Sequence, residues 1–208
     1  MKDERLGGSA WIVATGMMIV TMALHPTGHD LVEPGRFEAM AARNMVVHGL
    51  AIASLPLAFL GALALARRAV EPLRLGLAAL VVYGFALVAA MLAASANGFV
   101  APPLIRELIE HPDSAVPEAL LDYSHHFNHA FTHLYVVGSS AAILLWSIAL
   151  LRTGLGRALG VYGLVVGVAL PIGLIAGHLR MDVHGFGLVV LAQAVWTIAA
   201  GVSLVRER

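Results

Sequence analysis

The chain has 208 residues, 59% of them hydrophobic and only 12% charged, with a formal net charge of zero. Soluble domains run near 45–50% apolar and about 25% charged, so this composition, with a mean hydropathy of +0.83, predicts an all-α integral membrane protein. No basic patch interleaved with aromatics occurs, which argues against nucleic acid as a partner. The absence of cysteine removes disulfides, thiolate metal sites and cysteine nucleophiles together.

The sequence reads as one membrane domain over 1–208, a six-helix bundle with spans at about 6–25, 44–66, 73–100, 123–151, 158–178 and 184–205. A short charged tail precedes the first span, which Pro26 and Gly28 end. A polar loop over 30–43 follows, with a short interfacial helix over Arg36–Arg43. Pro56 lies inside the second span, where membrane helices tolerate proline. The Glu71-Pro72 link leads to the third span. Residues 101–121 read as the longest loop, broken by Pro102-Pro103, Pro112 and Pro117, with a surface helix over Leu104–His111. The fourth span starts inside the stretch Asp122 to His133, and the fifth and sixth are joined by a very short turn over Leu179–Val183.

Basic residues fix the expected orientation. Arg67, Arg68, Arg74, Arg152, Arg157 and Arg206 fall on one side with the N-terminal Lys2 and Arg5. That side is expected to be cytoplasmic, with both termini on it, and the membrane to be a bacterial cytoplasmic one. Most of the acidic residues, and every histidine, fall on the other side.

Histidine placement carries the functional expectation. His25 and His29 end the first span, His48 lies about one turn into the second, His178 ends the fifth and His184 starts the sixth. In the fourth span His125, His126, His129 and His133 share a sector of about 100° with Asp122. His111, beside prolines, reads as surface. Imidazole is the commonest metal ligand and titrates near neutrality, and ionisable groups within a membrane are costly enough to be functional by default. Because His125 and His133 lie about 12 Å apart along one helix, one ion cannot take both. The expected deep ligand set is His48, His129, His133 and His178. The shallow or entry set is His29, His125, His126 and His184, with Asp122 and Asp182 as ligands or as partners that fix an imidazole tautomer. Asn97 can add a hydrogen bond from the third span.

The spans offer no glutamate for a di-iron carboxylate site. An imidazole-rich set suits copper, zinc or iron, and Met18, Met22 and Met45 can add thioethers, so copper ranks first. The expected function is metal-dependent redox chemistry on a small lipid-soluble or periplasmic substrate. The alternatives are a non-enzymatic metal sensor, chaperone or transporter, a zinc-dependent hydrolase, and a b-type haem electron carrier. Gly138-Ser139-Ser140-Ala141 resembles the nucleophile motif of rhomboid intramembrane proteases, which also have six spans. Their catalytic base, however, lies within the last span, whereas His184 stands at the start of this one.

Overall fold

The computed structural model describes residues 2–26, 35–68, 73–153 and 156–206. His29, the start of the expected polar loop and the Glu71-Pro72 link lie outside these. The described residues form α1 (Lys2–Leu24), α2 (Phe37–Arg68), α3 (Leu73–Ser95), a π-helical segment (Ala96–Val100), α4 (Ala101–Glu110), α5 (Ala115–Thr153), α6 (Arg157–Ile175) and α7 (Val183–Arg206). Six helical stretches are long and apolar enough to cross a membrane, with α3, the π segment and α4 counting as one, Arg74–Glu110. This is the architecture of a multi-pass membrane protein, and large apolar side chains such as Val46, Phe85 and Ile175 are exposed on its outside.

Three boundaries differ from those expected, each for a local reason. The charged N-terminal residues continue α1 outward, with Asp3 and Glu4 in its first turn, where carboxylates meet the positive end of the helix dipole. The segment 36–43 is not a separate interfacial helix but the start of α2. The expected long loop over 101–121 reduces to a break at residues 111–114, because its prolines stand where helices begin. Pro117 occupies the first turn of α5, where the N–H has no helical acceptor anyway, and Pro102 and Pro103 the first turn of α4, which continues directly from the π segment.

The helices close into an antiparallel ring. Along α1 and α2, Gly7 lies against Ala64, Gly61 against Trp11 and His25 against His48, so the two run in opposite directions. The same reading pairs α2 with α3 through Phe59 and Gly84, and α3 with α5 through Ala86 and Gly138. Gly167 against Leu144 joins α6 to α5, Tyr162 donating to the Ala192 carbonyl joins α6 to α7, and Thr15 with Thr197 returns α7 to α1. The Arg67, Arg152 and Arg206 helix ends therefore share one end of the bundle.

That end is filled. Trp11 sits 5.8 Å from Trp146 and 5.7 Å from Trp196, Trp146 and Trp196 stack at 5.9 Å, and Tyr83 lies 5.4 Å from Trp146. All four rings are buried, and Gly61 makes room for Trp11, since a Cβ there would overlap the indole. In a bilayer, helix association rests on such packing rather than on a hydrophobic driving force. Trp196→Ala is expected to cost about 3–5 kcal/mol, read as a lowered unfolding midpoint in detergent, whereas Phe85→Ala on the outer face leaves the midpoint nearly unchanged.

Candidate metal site in a histidine-lined cavity

The other half of the ring encloses a cavity of about 1350 Å³, larger than the 300–1,000 Å³ of ordinary small-molecule sites. Its inner wall is mostly small and apolar, with Ala51, Leu55, Ala90 and Ala93, and its rim carries Glu118, Asp122, Arg180 and Asp182. Five imidazoles line it: His25, His48, His125, His129 and His133. Part of its cover is α4, whose Ile105, Leu108 and Ile109 face the cavity. Arg106 on α4 donates to both carboxylate oxygens of Glu38 on α2, at 3.0 and 2.7 Å.

One imidazole pair, His25 with His48, joins two helices. Their Nε2 atoms are 3.3 Å apart and their rings meet edge to face at 4.9 Å. The Nδ1 of His48 is 2.8 Å from the Asn44 carbonyl, and that of His25 is 2.8 Å from the Pro26 carbonyl. A carbonyl only accepts, so each Nδ1 carries the proton, and in the neutral rings each Nε2 is an acceptor. The two acceptors are turned toward each other in a largely buried site, an arrangement that can share a proton or a metal ion, and the Asn97 carboxamide nitrogen stands within hydrogen-bond reach of the His48 one. Burial lowers the His25 pKa from its ordinary value, the Pro26 carbonyl opposes this, and Arg43 adds to the lowering.

The π segment positions the pair. The Ala101 N–H bonds to the Ala96 carbonyl, five residues back, and Pro102 has no N–H to give. The Asn97 carbonyl is therefore left without a donor from its own helix. Asn44 fills the gap, its Nδ2 donating to that oxygen at 2.8 Å, and Ser124 on α5 donates to the Ala96 carbonyl at 3.3 Å. The widened turn sets the Asn97 carboxamide nitrogen 3.2 Å from His48 Nε2. It also brings Gly98 so close to His48 that a Cβ there would overlap the imidazole side chain, with Cγ at 2.8 Å. Such π-bulges are rare and recur at functional sites. Asn44 is 1% exposed and its Oδ1 has no partner, which leaves an unsatisfied buried acceptor beside the two imidazoles.

The remaining expected residues are distributed differently. His125 and His129 have rings 4.6 Å apart, and His129 and His133 6.1 Å. His126 turns from the cavity, its Nδ1 donating to the Asp122 carbonyl at 2.9 Å. His178 and His184 are exposed and do not line the cavity. Asp182 accepts from the Gly185 N–H at 2.9 Å at the start of α7. That bond, aided by Arg180, holds its carboxyl below the usual range. Among the described residues no three His, Asp or Glu side chains converge as a metal-binding group. The expected deep foursome is thus not gathered at one point, and the partner that His48 meets is His25. Sequence reading treated His25 as a helix-end residue and passed over Asn44. The available signal was Asn44 four residues before His48, on the same face of the same helix.

The geometry bears on the chemistry. With metal–nitrogen bonds of about 2.0–2.1 Å, trans haem ligands would stand about 4 Å apart, whereas two ligands of a tetrahedral ion stand about 3.3 Å apart. The observed 3.3 Å is shorter than the first and within the range of either a tetrahedral ion or a shared proton. Ser139 and Ser140 both accept from Gln193 Nε2, at 2.8 and 3.2 Å, and Tyr135 donates to Gln193 Oε1 at 3.3 Å. These serines belong to a buried amide network rather than to a histidine base. Comparison of the chain with family models, with characterised proteins and with solved structures gives no match.

Proposed function

We propose that the protein is a membrane metalloprotein in which His25 and His48 hold one transition-metal ion at the cavity wall, copper by preference, for redox chemistry on a small lipid-soluble molecule admitted to the cavity. The observation that carries this reading is the pair of Nε2 atoms 3.3 Å apart, each on a ring whose Nδ1 lies 2.8 Å from a backbone carbonyl. Met22 lies on the same cavity wall one helical turn before His25, and cuprous copper accepts thioether and imidazole together. Turning the Asn97 carboxamide over would present oxygen instead of nitrogen toward the ion. Two protein imidazoles leave positions open for a substrate, as catalytic metal sites require. The basic end of the bundle is taken as cytoplasmic, so the cavity faces the periplasmic or extracellular side. Transport across the membrane is the weaker alternative, because the tryptophan cluster fills the path to the other end.

Metal analysis of the purified full chain, with an optical spectrum, tests the proposal. One copper per chain, lost in His25→Ala, is the expected result. Zinc in its place would redirect the chemistry to hydrolysis, and a chain that retains no metal would overturn the reading. Protons compete with metal for Nε2. Because the His25 pKa lies below 6.5, bound metal is expected to persist as pH falls through 6.5 and to be released only below it, as that ring protonates.

A further inference from the structure

Among the described residues the α5 histidines are not gathered with a third ligand at one point, yet they are placed with regularity. Glu118, Asp122, His125, His129 and His133 recur every three or four residues, so they form one stripe along a helix. All five line the cavity that also contains His25 and His48. The stripe begins at carboxylates on the exposed rim and descends along the wall as imidazoles. Its lowest ring has a fixed tautomer: His133 Nδ1 is 2.6 Å from the His129 carbonyl, which leaves Nε2 as a free acceptor. Successive rings, at 4.6 and 6.1 Å, are close enough to pass an ion between neighbours. Among the described residues no three such groups converge to trap one. At the rim, Glu118, Asp122 and Asp182 outweigh Arg180 in charge, which draws cations inward.

We propose that this stripe is a loading ladder: a transition-metal cation binds transiently at the Glu118 and Asp122 rim, moves along His125, His129 and His133, and crosses the cavity to the His25–His48 pair. The inference rests on the metal-binding reading of that pair. It assigns the column a delivery role rather than a holding one. His111 supplies an internal control, being an exposed imidazole on the same side of the bundle that is no part of the cavity wall.

The test is stopped-flow transfer of Zn²⁺, and separately of Cu⁺, from a chromophoric chelator to the full chain in detergent. In the triple variant His125→Gln, His129→Gln, His133→Gln, loading should slow by about tenfold, the lower range of electrostatic and proximity focusing, while the final occupancy stays at the wild-type value. Asp122→Asn with Glu118→Gln should slow it as well, and His111→Gln should leave it unchanged. An unaltered rate in the triple variant overturns the ladder alone, as does an equal slowing in His111→Gln. Loss of final occupancy in the triple variant also overturns it, by making the column part of the terminal site. A wild type that accepts neither ion overturns the metal reading, and the ladder falls with it.

Discussion

Alanine at His48 is expected to lower metal affinity by at least about a hundredfold, the upper range for removing even an outer partner of a metal site, and to abolish any activity that depends on the ion. His48 is central because three contacts meet on it. Its Nδ1 donates to the Asn44 carbonyl, its Nε2 faces His25, and the Asn97 carboxamide reaches the same nitrogen. Removing the ring leaves the His25 lone pair without its partner and opens space in an already large cavity, so the fold should survive. Helical content and detergent stability are the controls. His48→Gln is the sharper variant, since it keeps a polar side chain of similar reach but loses the imidazole. If either variant binds metal at wild-type stoichiometry and affinity, the pair is not the site.

Gly98→Val should have an effect of comparable size without touching a ligand. A Cβ at position 98 would overlap Cβ and Cγ of His48, so either the imidazole swings away from His25 or the π segment moves off α2. Overpacking of this kind costs about 1–3 kcal/mol, and the displaced ring should lose metal even where the protein still folds. The expected signature is a bundle that stays helical and monodisperse but no longer retains the ion. Gly84→Ala, on the same helix where an added Cβ meets Phe59 only at 3.6 Å, is the matched control and should bind normally. Equal metal binding by Gly98→Val and Gly84→Ala would show that the close approach of the π segment has no part in holding His48.

The six spans were legible because apolar length is a strong and local signal, and the gathering of histidines at one end followed from counting residues between charged ends. The π segment was not legible. Pro102-Pro103 reads as a loop, and the widened turn is held from other helices, by the Asn44 amide, 53 residues away in sequence, and by the Ser124 hydroxyl. The His25–His48 meeting was likewise hidden, since it depends on how far α1 slides along α2, set by Gly7 against Ala64 and Gly61 against Trp11. Of the column expected on α5, His125, His129 and His133 line the cavity with Asp122, and His126 does not. Periodicity reports which side chains share a stripe, but not which neighbouring helix stands opposite.

The stopper of indoles at the basic end has a further consequence. With that base plugged, an ion entering from the histidine side would have to return by the side it came from. Such an ion would traverse only part of the membrane voltage, and so forfeit most of the roughly 2.3 kcal/mol per charge that a full crossing at 100 mV would exchange. The chemistry proposed for this cup would then be driven by the reactants themselves, and its rate should respond little to an imposed potential.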